Sequence, residues 1–202
     1  MENRRPVFSP DGTQFVFVRT LEKLGIYRKA ASGTGPEERL VDGEPTDWSP
    51  DGRHILFIRA GDVWALSLTD KKETVAATGR GNDRRGRFSP DGKWMAYESD
   101  ESGQFEIYVQ NFPPNGNRWQ VSANGGGSAW WGSDGRELFF YAPDGKLMSV
   151  NVKLGNAFDA SPPQELFRVP GVIANGRFVA SLDAQRFLLP SRRKTSRSSP
   201  SY

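Results

Sequence analysis

Apolar residues in this chain fall into short dense runs rather than at helical spacing. The runs are Phe15-Val16-Phe17-Val18, Ile55-Leu56-Phe57-Ile58, Trp94-Met95-Ala96-Tyr97, Leu138-Phe139-Phe140-Tyr141 and Phe187-Leu188-Leu189. Continuous hydrophobicity over so few residues predicts strands covered on both faces. A polar phrase precedes each run. It reads Phe8-Ser9-Pro10-Asp11-Gly12, Trp48-Ser49-Pro50-Asp51-Gly52 and Phe88-Ser89-Pro90-Asp91-Gly92, then the weaker Trp131-Gly132-Ser133-Asp134-Gly135 and the fainter Ala180-Ser181-Leu182-Asp183-Ala184. The phrase aspartates stand 40, 40, 43 and 49 residues apart. Self-similarity at this period predicts propeller repeats, each a small antiparallel sheet.

Ser-Pro-Asp-Gly suits a type I turn closed by a left-handed glycine, a common hairpin connection. After the apolar run comes a third strand with an aliphatic–aromatic pair (Ile26-Tyr27, Val63-Trp64, Ile107-Tyr108) or, in the fourth repeat, Leu147-Met148. A more polar fourth segment follows: Glu38-Arg39-Leu40-Val41, Thr74-Val75-Ala76, Arg118-Trp119-Gln120-Val121 and Glu165-Leu166-Phe167. Mixed polarity fits an outer edge. The expected fold is all-β, a β-propeller of four-stranded antiparallel blades with repeats starting near 6, 46, 86, 128 and 177. Four blades are complete. The fifth supplies only an inner hairpin, near 178–181 and 186–190. An open arc leaves faces and edges uncovered, which favours a portion of a larger propeller. Such a chain, expressed alone, is expected either to self-associate through its first and fifth blades or to be marginally soluble.

Composition narrows the classes. No stretch approaches 18 apolar residues, and the first residues lack the apolar core of a signal peptide, so the chain as written carries no export signal. It has no cysteine, which excludes disulfides and thiolate sites and leaves the compartment open. The net charge is +3, but residues 192–202 hold four cations and no acid, so residues 1–191 sum to −1. The expected division is a propeller over 1–191 and a basic Ser/Arg-rich disordered tail over 192–202. A nearly neutral body argues against nucleic acid as a partner.

Candidate chemistry is sparse. His54, the sole histidine, has no second histidine for a metal and no Gly-x-Ser-x-Gly elbow to serve, so it reads as a strand-start residue. Asp11, Asp51, Asp91, Asp134 and Asp183 repeat with the blades; this spreads them around a ring, and they read as turn formers. Gly79-Arg80-Gly81-Asn82-Asp83-Arg84 places an arginine where a dinucleotide fingerprint needs its third glycine, and it reads as a loop. Gly125-Gly126-Gly127 likewise reads as a flexible entry to the fourth blade. Trp48, Trp94 and Trp119 are expected between sheets, with Trp130 or Trp131 the exception because adjacent strand residues face opposite ways. No cofactor is expected. The best binding candidate is the loop face opposite the Ser-Pro-Asp-Gly turns, where Arg80, Asp83, Arg84, Arg85, Asp100 and Glu101 collect.

These repeats resemble the WD-like propeller of the periplasmic Tol-system protein TolB and its relatives, over residues 6 to 190. Ser99-Asp100-Glu101-Ser102-Gly103, Glu106-Ile107-Tyr108-Val109-Gln110-Asn111-Phe112-Pro113 and Gly135-Arg136-Glu137-Leu138-Phe139-Phe140 are similar to a bacterial sensor-type branch. In that branch the propeller is often fused behind a serine/threonine kinase domain and a membrane span. The resemblance implies a non-catalytic, extracytoplasmic module that recognises a protein, peptide or cell-envelope ligand. The alternative is the accessory propeller of an enzyme, a kinase or a prolyl-oligopeptidase-type hydrolase, whose catalytic domain this chain does not contain.

Overall fold

The computed structural model describes residues 3–19, 24–155, 157–168, 179–180 and 187–188. These residues form nineteen strands and no helix. The first blade is β1 (Asn3–Phe8), β2 (Gln14–Arg19), β3 (Gly25–Ala30) and β4 (Glu38–Val41), paired in that order. The second is β5 (Glu44–Trp48), β6 (His54–Arg59), β7 (Asp62–Ser67) and β8 (Glu73–Ala77). The third is β9 (Asp83–Phe88), β10 (Trp94–Ser99), β11 (Glu106–Asn111) and β12 (Arg118–Gln120). All pairings are antiparallel, and the innermost strands β1, β5 and β9 pack side by side in sequence order. The expected propeller blades are present.

The fourth blade departs from the expected four strands. β13 (Gly127–Trp131) and β14 (Glu137–Tyr141) lead into a nine-residue β15 (Lys146–Leu154), whose far edge is shared. Its end pairs with β16 (Phe158–Ala160) and its start with β17 (Gln164–Arg168). The segment expected to be the outer strand is thus β17, and β16 is an added strand within the longest repeat, where the phrase spacing is 49 residues. Beyond it, β18 (Val179–Ala180) pairs with β19 (Phe187–Leu188). Their register identifies a fifth inner hairpin, because Ala180↔Phe187 repeats the spacing of Phe8↔Phe15, Trp48↔Ile55, Phe88↔Met95 and Trp131↔Leu138. Asp183, the remainder of the fifth hairpin and the 192–202 tail lie outside the described residues.

Each phrase folds as the turn its residues dictate. The N–H of Gly12, Gly52 and Gly92 donates to the carbonyl of Ser9, Ser49 and Ser89 at 2.8–2.9 Å, and φ at these glycines is 69–73°. Each serine hydroxyl donates to the aspartate two residues on, at 2.5–2.6 Å, and accepts the N–H that opens the next strand. The aspartates in turn accept the N–H of Thr13, Arg53, Lys93 and, in the fourth copy, where Gly132 replaces the first-position serine, Arg136. Ala142-Pro143-Asp144-Gly145 builds the same turn between β14 and β15, without a serine.

Three seams between blades hold the core. Let the leading face of a blade be the one turned to the blade before it, and the trailing face the one turned to the blade after. Trp48, Ile55, Phe57 and Trp64 on the leading face of blade two pack on Val16, Ile26 and Val41 of blade one. Phe88, Met95, Tyr97 and Tyr108 pack on Leu56, Val63, Ala65, Ala76 and Ala77. Trp131, Leu138 and Phe140 pack on Ala96, Ile107, Val109 and Val121, with Trp94 beside them. In all three, large and mostly aromatic leading faces meet trailing faces built chiefly of aliphatic and small side chains, so both faces of a middle blade are apolar.

Candidate functional site

Antiparallel order sends the Ser-Pro-Asp-Gly turns to one end of the blades and the second-to-third turns and blade-to-blade connections to the other. Arg80 lies exposed in the β8–β9 connection, and Asp100 and Glu101 lie in the β10–β11 turn, as expected for that second end. Asp83, Arg84 and Arg85 are not loop residues. They open β9, where a bulge between Arg84 and Arg87 leaves Arg85 in the left-handed region at φ 54°.

Apart from the exposed Arg80, the six candidate residues divide into three groups. In the first, Asp100 accepts the backbone N–H of Asn82 at 2.6 Å and its side-chain amide at 3.0 Å; these bonds, the amide first, hold its carboxyl below the usual range. In the second, Glu98, fully buried, accepts from Arg84 Nε at 2.7 Å, Arg85 at 3.0 Å and the Ser128 N–H at 2.6 Å. It thereby ties the bulge of blade three to the innermost strand of blade four. Arg84 also lies 3.4 Å over the Phe105 ring. In the third, Asp83 is 1% exposed, and neither carboxylate oxygen meets a partner in hydrogen-bonding geometry. Burial first, and then the charges of Asp62 and Glu101, push its carboxyl up, against a smaller opposing effect of the nearby Ser99 hydroxyl. Glu101 is paired with Arg118 at 2.8 Å. Tyr97, beside this group, is pushed up to about 12 by burial and by the Asp83 charge.

At the phrase end, the inner tips of β5, β9 and β13 enclose about 260 Å³. Asp47, Arg87 and Trp130 line it, with Pro50 and Pro90 at the rim. Asp47 accepts the Phe88 N–H at 2.8 Å and an Arg87 nitrogen at 3.3 Å. Burial lifts its carboxyl above the usual range despite the arginine. The Arg87 guanidinium lies 5.0 Å from the Trp130 ring centre, and Trp131 Nε1 donates to the Arg87 carbonyl at 3.2 Å. Trp131 is therefore the core residue and Trp130 the exception. Asp47 and Arg87 were not among the sequence candidates. Their signal was the position before the phrase aromatic, which holds Val7, Asp47, Arg87 and Trp130 in turn. His54 is an ordinary strand-start residue whose ring meets Phe112 edge-on at 5.2 Å.

No family model matches the chain. An uncharacterised protein of Agrobacterium fabrum is 28% identical over 109 residues, which is 50% of this chain and 37% of that protein. A TolB-type structure from Agrobacterium tumefaciens superposes with a TM-score of 0.61 at 22% identity, covering 83% of this chain and 67% of the other. TolB from Acinetobacter baumannii gives 0.65 at 22%, covering 95% and 55%. The Cps50 (Swd1) β-propeller domain of Myceliophteria thermophila gives 0.66 at 15%, covering 93% and 61%. The fold is thus that of TolB and WD-type propellers, and the chain spans little more than a third of the curated relative and about half to two thirds of these structures.

Proposed function

We propose that this chain is a non-catalytic binding propeller that takes a protein or peptide ligand, anchored in the cavity of Asp47, Arg87 and Trp130. One observation carries the reading. Among the described residues, Arg87 meets Asp47 through a single guanidinium contact and lies over an indole, so most of its donors face an apolar recess lined by prolines and tryptophans. That chemistry suits a ligand carboxylate with a flat or apolar neighbour, since a charge-assisted bond to arginine is stronger than a neutral one. Of the sequence-predicted set Arg80, Asp83, Arg84, Arg85, Asp100 and Glu101, a second contact face at the other end would use Arg80 and the half-exposed strand residues Arg84 and Arg85, since Asp83 is buried. Panning a displayed peptide library against the full chain tests the anchor. Acidic, aromatic-containing peptides should be enriched, and Arg87→Ala or Trp130→Ala should weaken them at least tenfold while Arg80→Ala does not. Binders indifferent to both changes would remove the cavity from the reading.

The broader assignment, a propeller over 1–191 with a basic tail, serving as the extracytoplasmic sensor portion of a larger bacterial protein, rests on the resemblance of the second half to kinase-fused propellers. The genomic sequence flanking the reading frame tests it. An upstream kinase domain and membrane span support it, and a downstream hydrolase replaces it with the accessory-propeller reading.

A further inference from the structure

The β8–β9 connection and the outer strands of blade three bound a groove of about 670 Å³, which shares no lining residue with the cavity of Asp47, Arg87 and Trp130. Val75, Ala77, Tyr108 and Pro114 give it an apolar wall. Gly79 also lines it, and its φ lies outside the left-handed region, so the backbone there does not demand a glycine. The space that a side chain would take is bordered by charge. A Cβ on Gly79 would stand 3.0 Å from Glu101 Oε2, 3.5 Å from Arg118 Nη1 and 3.9 Å from Asp83 Oδ2. Glu101 and Arg118 answer each other at 2.8 Å. Asp83 is different: it is 1% exposed, and among the described residues neither of its carboxylate oxygens has a hydrogen-bond partner. The Ser99 hydroxyl beside it is likewise buried and without a partner among them.

We propose that this groove binds an aliphatic ammonium ion, carried by a lysine side chain or by a free polyamine, with Asp83 as the counter-ion reached through the space at Gly79. A buried carboxylate with no counter-charge in contact is costly, and a cation seated beside it removes that cost. Three carboxylates, Asp62, Asp83 and Glu101, face Arg118 here, and the exposed Arg80 is the groove's other cation, so one negative charge is left over. No three carboxylate, histidine or cysteine side chains among the described residues are grouped to hold a metal ion, which makes the cation an organic one. The space at Gly79 suits a compact ammonium better than a planar guanidinium, and the apolar wall accepts the methylene stem. Arg118 is the competitor already in place. Half-exposed at the start of the edge strand β12, it can turn to water and leave Glu101 as a second acceptor for the ligand.

Isothermal titration of the full chain, at low salt in an amine-free buffer, tests this with cadaverine, Nα-acetyl-lysine methylamide and tetramethylammonium. The two primary amines should bind at a single site, and tetramethylammonium, which has no N–H to donate, should not. Tighter binding of the diamine identifies a free polyamine as the source, and tighter binding of the lysine derivative identifies a peptide. Asp83→Asn removes the counter-ion from a chain that should fold at least as stably, and Gly79→Ala fills the space without changing any charge. Each should weaken binding by about tenfold or more. Arg118→Gln, which removes the competing cation, should tighten it about threefold or more. Asp159→Asn, at an exposed acid of β16, should change nothing. Failure of both amines to bind, equal binding of tetramethylammonium, or an affinity untouched by Asp83→Asn or Gly79→Ala overturns the proposal. So does an equal loss in Asp159→Asn, or weaker binding in Arg118→Gln.

Discussion

Gly52 and Gly86 lack side chains for different physical reasons, and substitutions should separate them. Gly52 sits at φ 73° with open space where a Cβ would stand, so only backbone strain opposes a larger residue. Gly52→Val should cost about 1 kcal/mol or more, and Gly52→Asn much less, because asparagine visits the left-handed region. A Cβ on Gly86 would stand 2.9 Å from Val63 Cγ1 and 3.2 Å from Leu56 Cδ1 in the seam between blades two and three. Gly86→Ala should therefore cost about 1–3 kcal/mol by overpacking, with no relief from asparagine. Denaturant midpoints for the four variants check both claims, and a Gly52→Asn as damaging as Gly52→Val would remove the strain argument. Asp83 gives a prediction of a different kind. Its folded carboxyl is raised by burial, so its contribution to stability is fully present below the unfolded pKa and is lost as pH rises through the higher folded value. Asp83→Asn should accordingly raise Tm at pH 7 by a few degrees, and the advantage should shrink as pH falls towards 4. A variant whose advantage is unchanged or larger at pH 4 would show that Asp83 carries no burial penalty.

At the scale of strands, Glu98 couples two blades. It is buried without exposure and accepts from Arg84 and Arg85 in β9 and from Ser128 in β13. Removing it strands two arginines and an N–H, so Glu98→Ala should cost about 3–5 kcal/mol. Glu98→Gln, which keeps an acceptor for Ser128, should cost less; equal losses would mean that the arginine charges dominate and the bridge to β13 contributes nothing. This element also marks where the sequence stops being readable. The turns and the second and third strands were legible because Ser-Pro-Asp-Gly and the apolar runs act locally, and the glycine φ values and serine bonds follow from residue chemistry alone. The bulge in β9 was not legible. It shifts the alternation at Arg85, so sequence spacing could not tell that Asp83 is buried while Arg84 and Arg85 are half-exposed. Glu98 was hidden at the end of the Trp94-Met95-Ala96-Tyr97 run, since its partners lie on other strands. The cavity was half-visible: Trp130 stood out by its neighbour Trp131, whereas Asp47 and Arg87 gain meaning only when blades are set side by side. The β16 hairpin escaped because it inserts between two strands of one repeat: the 49-residue spacing from Asp134 to Asp183 marks extra length there but not where it folds or as what.

For the molecule as a whole, a row of blades that each touch only their neighbours has a stability that depends on position in the row. Among the described residues, blades two and three share seams with a neighbour on both faces, whereas blade one shares one only on its trailing side and leaves Phe8 at the surface. Local opening of blade one therefore gives up one set of apolar contacts, and opening of a middle blade gives up two. Backbone amides in β2 and β3 should exchange with deuterium faster than their counterparts in β6, β7, β10 and β11, although the three inner ladders are equally long, with six paired residues each. Hydrogen exchange followed by mass spectrometry, with peptides covering each blade, makes the comparison within one sample. Phe88→Ala, which opens the seam between blades two and three, should speed exchange in both of those blades, whereas Phe8→Ala should leave the order unchanged. Equal protection of blades one and two in the parent chain would mean that the leading face of blade one is covered in solution and that the row closes on itself.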